Sequence, residues 1–270
     1  MRARDDVGCC PPTVIARLLE SADHAALKRL RWIMFASEPM PPAVLERWWE
    51  CVPGAKTYEF YGTTELLTVT QASRDVLVQE PRAVGVPFPS SEVRVVGQDG
   101  MDQPLGEEGE ILCRSPAVMQ EYFRDERATA SALTEDGAMR TGDLGMFDDS
   151  GRLHLTGRLK DIIISGGFTV APAKIKAVAC SHPAVAEAMV VGIHDSRWGE
   201  TPVVVAVPRS GSRLTAGELL GHCRGRLARF KCPSAAAVTH ELPTTGIGKA
   251  KKAPIREAIQ RGELELERAR

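Results

Sequence analysis

The chain has 270 residues, 43% of them hydrophobic and 26% charged, with a formal net charge of -1 at pH 7. That length exceeds the usual size of one hydrophobic core, so at least two structural units are expected. The near-neutral balance excludes general electrostatic binding to nucleic acid or to an anionic membrane surface. No apolar run reaches the length of a membrane span, and MRARDDVGCC has no apolar core after its arginines, so it does not read as a secretion signal. Cysteines 9, 10, 51, 113, 180, 223 and 232 are odd in number, scattered and without a CxxC pair. They read as buried thiols of a reducing cytoplasm rather than a disulfide framework or a zinc site.

In chain order, Thr13–Glu20 has helical spacing after Pro11-Pro12, and Leu30–Ala36 reads as a short buried strand. A loop, Ser37–Pro42, leads into a helix that Pro42 suits as its first residue. Trp48 and Trp49 on that helix read as packing groups. Lys56–Phe60 reads as a second strand, running into Tyr61-Gly62-Thr63-Thr64-Glu65. Strand, loop, helix and strand make an α/β pattern, in which ligands sit beyond the carboxyl ends of strands.

From Ala83 the pattern becomes short strands cut by Gly and Pro: Gly85–Pro87, Glu92–Val96 and Gly106–Leu112, with Gly97–Gly100 as a turn and Asp125–Leu133 as a short helix. After Lys160 it changes again. Helices are expected at Ala171–Cys180, at Thr215–Ala228 (Thr215 as its cap, Glu218 three residues on) and at Pro254–Gln260. Strands are expected at Val185–Ile193, at Pro202–Val207 and from Val238, with a frayed tail over Glu263–Arg270. The fold class is therefore α/β and α+β, multidomain: an α/β portion over 1–83, a small β-rich subdomain over 84–159, and an α+β domain over 160–270 reached through a hinge.

Four stretches carry candidate chemistry. Tyr61–Glu65 offers an aromatic face, a glycine, two hydroxyls and a carboxylate, a set that can stack a base, hydrogen-bond a phosphate and hold Mg²⁺ through one carboxylate; an ordinary turn explains the same residues. Asp143, in Thr141-Gly142-Asp143, can accept both hydroxyls of a ribose or act as a cap. Arg158 can reach ribose or phosphate oxygens or pair with a surface carboxylate. Lys249, in Pro243–Lys249, is a cation on a glycine-rich loop, suited to a phosphoryl oxygen whose charge grows in a transition state; a solvated basic stretch with Lys251 and Lys252 is the alternative. The loop is not a phosphate-cradling GxxxxGK[ST] motif, since no Ser or Thr follows Lys249.

Order and spacing join these stretches. YGTTE, RTGDLG, GRLKDIIISGG and LPTTGIGK, with ASEPMPP before them and RWGE at Arg197–Glu200, resemble the motifs of the adenylate-forming (AMP-binding) superfamily of acyl-CoA synthetases, firefly luciferases and peptide-synthetase adenylation domains. The resemblance runs from about Pro12 to Ile255 and is of the acyl-CoA synthetase, fatty-acid–CoA ligase type. It implies ATP/AMP, Mg²⁺ and CoA as cofactors and a small carboxylic acid as substrate. By position it implies Tyr61 beside the adenine, Gly62 among the cofactor-binding residues, Thr64 at the phosphate, Glu65 at Mg²⁺, and Asp143 and Arg158 at the ribose. Lys160 would be the hinge and Lys249 the group that stabilises the adenylation transition state. Gly166, Gly167 and Trp198 would line the pantetheine path after domain rotation.

Family members are about twice this length, and the Ser/Thr/Gly-rich phosphate loop of their first half has no match here. The chain therefore reads as the second half of an acyl-CoA ligase, truncated or split. Two alternatives stand beside it: a non-catalytic adenylate- or CoA-binding remnant, and a subunit completed by a separate N-terminal polypeptide. A truncated sheet should leave an open edge and apolar surface near the N-terminus, favouring self-association or that partner. Thr169 stands where many relatives have Asn, and Lys174 and Lys176 where many have Glu. The apolar Leu66-Leu67-Thr68-Val69 after Glu65 favours an aliphatic or aromatic acid.

Overall fold

The computed structural model describes residues 7–20, 24–38, 40–244 and 251–269. The chain divides into two compact units, Met1–Leu155 and Thr156–Arg270.

The first unit opens with β1 (Val7–Cys9), α1 (Pro12–Glu20), β2 (Trp32–Phe35), α2 (Pro42–Cys51), β3 (Lys56–Tyr61), β4 (Thr70–Ser73), α3 (Arg74–Gln79) and β5 (Val86–Pro87). They build a five-stranded sheet in the order β1-β2-β3-β4-β5. β1, β2 and β3 are parallel, and β4 and β5 return antiparallel. Alternation along β2 sends Ile33 and Phe35 to one face, where they pack with Ile15 and Leu19 of α1 and Leu45 and Trp48 of α2. Each such fully buried large side chain contributes about 1.5–3 kcal/mol. Trp48 is 1% exposed, a packing group as expected. Trp49 packs partly against the same core and donates its Nε1–H to Thr57 Oγ1. β2 differs from expectation in being buried on one face only: Trp32 is 37% exposed.

A four-stranded sheet follows, β6 (Glu92–Val96), β7 (Gly109–Arg114), β8 (Met139–Phe147) and β9 (Leu153–Arg158) in that order, with α4 (Glu126–Ala132) between β7 and β8. Asp125 caps α4 by accepting the Ala128 N–H. The division between the units falls within β9. Gly85–Pro87 was expected among the β-rich strands. Val86 and Pro87 pair instead with Gln71 and Thr70 of the first sheet, while Gly85 bridges to Leu153 of the second.

The second unit continues with β10 (Ile163–Ser165), β11 (Phe168–Val170), α5 (Pro172–Cys180), β12 (Val185–Asp195), β13 (Gly199–Pro208), α6 (Ala216–Arg224), β14 (Ala235–Val238), α7 (Lys252–Gln260) and β15 (Glu267–Arg268). The sheet runs β11-β10-β13-β14-β15, and β12 also pairs β13. Thr215 and Glu218 form the reciprocal capping box the sequence suggested. The strand expected to begin at Val238 ends there instead. Ala235–Val238 lies parallel to β13, with Ala236 against the α5 and α6 layer and Ala235 and Ala237 against the layer holding Ile255 of α7. Alanine suits a strand pressed between two helical layers, although its propensity alone argues against strand. The tail is also not frayed throughout: Glu267 and Arg268 pair antiparallel with Ala236 and Ala235.

Candidate functional site

β3 ends at Tyr61, whose side chain is 8% exposed. Its phenol donates to Asp143 Oδ2 at 2.8 Å, across 82 residues of sequence. A bulge aims Asp143 there. Glu110 pairs with Leu144 and Leu112 with Arg140, so Thr141, Gly142 and Asp143 together stand opposite Ile111. Gly142 takes φ +66°, a left-handed value that glycine adopts without penalty. Thr141 locks the bulge, its hydroxyl donating to Ile111 O and accepting the Asp143 N–H. Asp143 is 4% exposed, a buried acceptor on a re-aimed strand rather than a helix or turn cap.

Beyond Tyr61 the chain folds tightly back. A Cβ on Gly62 would lie 1.7 Å from Leu67 O, so no side chain fits there. The N–H groups of Leu66 and Leu67 both donate to Thr63 O, and Leu67 itself sits at φ +59°. Thr63 Oγ1 is buried and has no hydrogen-bond partner. A polar atom in that state is an open valence for a ligand. Thr64 is exposed. Glu65 is half-buried, accepts the Tyr122 phenol at 2.8 Å and takes the Met119 N–H on its carbonyl. That hydrogen bond to the carboxylate pushes the Tyr122 pKa up. Tyr122 was not singled out in the sequence; nothing in its spacing links it to residue 65. Leu66 and Val69 are fully buried in the core, so of the stretch Leu66–Val69 only Leu67 and Thr68 remain to face a substrate.

Two residues before Tyr61, Glu59 lies 5% exposed between Phe35 and Ala72 on its neighbouring strands. Burial alone raises its pKa to about 8.

In the second unit, Arg158 ends β9 and Lys160 sits in a 3-10 turn, Leu159–Asp161; both are exposed. Asp161 is bound by Lys252 Nζ at 2.7 Å, so Lys252 is half-buried in an ion pair rather than part of a solvated basic stretch. Gly166 and Trp198 are brought together: Gly166 N–H donates to Trp198 O at 2.8 Å, and a Cβ on Gly166 would meet the indole at 2.7 Å. Gly166 and Gly167 have φ +56° and +82°. Asp195 accepts the N–H groups of Arg197 and Trp198, which lower its pKa and fix the turn that presents the indole. Lys249 lies outside the described residues.

The first unit thus brings Tyr61 and Asp143 into contact and fixes Glu65, while the second brings Gly166 beside Trp198. The buried Thr63 hydroxyl and, two residues on, the half-buried Glu65 carboxylate are groups that can serve a phosphorylated ligand with a hard cation. Among the described residues no group of three or more His, Cys, Asp or Glu could hold a metal. A single carboxylate is the protein share typical of Mg²⁺ that travels with a nucleotide's phosphates. No helix among the described residues is long and apolar enough to cross a membrane.

Comparison with known proteins places these residues in context. Residues 4–123 match the sequence model of the AMP-binding enzymes, and residues 174–249 that of the AMP-binding enzyme C-terminal domain. The indoleacetate–CoA ligase of Aromatoleum aromaticum is 38% identical over 243 residues, covering 90% of this chain and 46% of that one. The ATP-bound MatB structure from Rhodopseudomonas palustris superposes with a TM-score of 0.86 at 32% identity, covering 96% of this chain and 52% of that one. The o-succinylbenzoate CoA synthetase of Bacillus subtilis, solved with its acyl-adenylate intermediate, gives a TM-score of 0.79 at 31% identity, covering 98% and 52%. The chain spans about half the length of the relatives it matches.

Proposed function

Because the chain belongs to the family of AMP-binding, adenylate-forming acyl- and aryl-CoA ligases, we propose that it supplies the adenosine-binding and domain-rotation half of a carboxylate–CoA ligase. The observation that carries the reading is the buried Tyr61–Asp143 hydrogen bond, with the unsatisfied Thr63 hydroxyl two residues along the chain from Tyr61. The Tyr61 ring flanks the adenine. Asp143 and Arg158 accept and donate to the ribose, and Thr63 and Thr64 meet the α-phosphate. Glu65, held by Tyr122, fits the Mg²⁺ that would accompany the phosphates and neutralise their charge.

In the adenylation half-reaction the substrate carboxylate attacks the α-phosphorus of ATP and pyrophosphate leaves. Lys249 stabilises the charge that develops on the phosphoryl oxygens. Rotation at Lys160 then replaces Lys249 with the Gly166–Gly167 and Trp198 face. There the CoA thiol displaces AMP from the acyl carbon. Gly166 packs against the indole and fixes it, while the open space at Gly167 leaves room for a pantetheine arm beside it. The acid is aryl or aliphatic, in keeping with the exposed Leu67 and with a relative named for indoleacetate. The reaction belongs in the cytoplasm, where ATP and CoA are supplied.

Pyrophosphate release and hydroxamate formation with ATP, Mg²⁺ and a panel of acids test this. Turnover abolished by Lys249→Ala supports a catalytic ligase half. Because the chain spans only half of its relatives, a second reading is adenylate or CoA binding without chemistry. That reading predicts thermal stabilisation by AMP or CoA with no pyrophosphate.

A further inference from the structure

Glu65 follows β3, and Tyr122 lies between β7 and α4, in a segment that belongs to the other sheet of the first unit. The Tyr122 phenol donates to Glu65 Oε1 at 2.8 Å, and the Met119 N–H donates to Glu65 O at 2.7 Å, so one segment holds the glutamate by side chain and by backbone. The segment is itself anchored. Tyr122 donates its N–H to Thr129 Oγ1 at 3.0 Å and accepts the Asp125 N–H on its carbonyl, while the Thr129 hydroxyl donates to Asp125 O. Asp125 in turn caps α4. Directly after Tyr122, Phe123 is 84% exposed and Arg124 adopts φ +55°. A left-handed arginine is strained, and such strain persists only where the surroundings impose it. Phe123 gains little burial from this turn, whereas the Tyr122 phenol gains its carboxylate. A phenol carries no positive charge. It orients a carboxylate without neutralising it, which suits a carboxylate that has a cation to meet.

We infer that Tyr122 is a positioning residue for the cation: it holds the Glu65 carboxylate in the orientation in which that group meets the Mg²⁺ carried by a nucleotide's phosphates, and it takes no part in adenosine binding. The inference rests on the proposed role of Glu65. A purely structural hydrogen bond, tying the loop after β3 to the segment before α4, makes a different prediction. Its removal lowers stability and leaves the metal dependence of nucleotide binding untouched.

Calorimetric titrations of ATP with Mg²⁺, and of AMP with EDTA, compare the unsubstituted chain, Tyr122→Phe, Glu65→Gln and the double variant. Tyr122→Phe keeps the ring and removes only the hydroxyl. Expected are Mg²⁺·ATP affinity weakened about 10-fold or more, the range for a partner that orients a metal ligand, and AMP affinity unchanged. Tyr122→Phe should add no further loss once Glu65 is replaced by Gln, because it acts through that carboxylate. A second measurement uses the unsubstituted chain, so a misfolded variant leaves the test intact. Fluorotyrosine labels its three tyrosines; with the other two resonances assigned through Tyr58→Phe and Tyr61→Phe, Mg²⁺ added to the ATP-bound chain should shift that of Tyr122. The inference is overturned by equal Mg²⁺·ATP affinity in Tyr122→Phe, by AMP affinity that falls by the same factor, or by a loss that persists beside Glu65→Gln. It is equally overturned by a Tyr122 resonance that Mg²⁺ leaves in place, or by no Mg²⁺-dependent binding to the unsubstituted chain. Pyrophosphate release in the same samples separates the two ideas. The expected Mg²⁺-dependent losses with no pyrophosphate from any of the proteins keep the positioning role and refute the ligase chemistry. Pyrophosphate released with the same Mg²⁺ dependence by Tyr122→Phe and the unsubstituted chain does the reverse.

Discussion

Replacing Glu59 by glutamine should change how the stability of the first unit depends on pH. The carboxyl is 5% exposed, flanked by Phe35 and Ala72 on the neighbouring strands, and burial raises its pKa from 4.5 to about 8. An acid whose pKa is raised in the fold holds its proton there after the unfolded chain has lost it. Relative to an ionised unfolded state, folding then costs more as pH climbs. Stability is undiminished below about 4.5 and falls as pH rises through about 8. At 1.36 kcal/mol per tenfold change, the gap between those values sets an upper bound of about 5 kcal/mol, which relaxation and water entry reduce. Glu59→Gln removes the ionisation and keeps the shape. Its stability should match the unsubstituted chain at pH 4.5 and exceed it by several kcal/mol, up to that bound, at pH 8.5. Urea unfolding followed by tryptophan fluorescence in a Trp198→Phe background reports this unit, since the other three tryptophans, Trp32, Trp48 and Trp49, lie within Met1–Leu155. Parallel pH profiles for the two proteins would refute the reasoning.

Gly62→Ala drives a Cβ to 1.7 Å from Leu67 O; it should cost at least about 2 kcal/mol in the same assay, because backbone must move. Gly166→Ala meets both the Trp198 indole at 2.7 Å and a left-handed φ of +56°; it should lower the melting temperature of the second unit and shift Trp198 emission. Lys252→Ala releases Asp161 from a half-exposed pair. Its stability cost should stay below about 1 kcal/mol, while amide exchange at Leu159–Asp161 rises.

Much of this architecture was legible in the sequence. Val185–Ile193 and Pro202–Val207 are β-branched runs that two helical layers bury, so periodicity found them within a few residues of β12 and β13. Thr215 with Glu218 announced the helix start, and Pro42 another. Elements whose identity depends on neighbours were missed. β4 is Thr-Gln-Ala-Ser, a polar run that becomes a strand only because Tyr58–Tyr61 pairs with it. β14 is Ala-rich, and β15 is two charged residues captured by it. The site divides in the same way. The motifs around Tyr61 and Asp143 stood out through their resemblance to those of the adenylate-forming family, composition alone leaving a turn and a cap as equal readings. Their mutual hydrogen bond spans 82 residues and depends on a bulge opposite Ile111 that no local pattern encodes. Tyr122 on Glu65 and Lys252 on Asp161 are tertiary pairings of the same kind.

The most direct test of the account is calorimetric titration of AMP, with and without the complementary half, into the unsubstituted chain and into Asp143→Ala. The account predicts saturable binding that Asp143→Ala weakens about 10- to 100-fold, the loss expected for hydrogen bonds to a charged acceptor, with the variant's fold intact by circular dichroism. Binding of equal strength in the two proteins, or no binding by the unsubstituted chain under either condition, would contradict it.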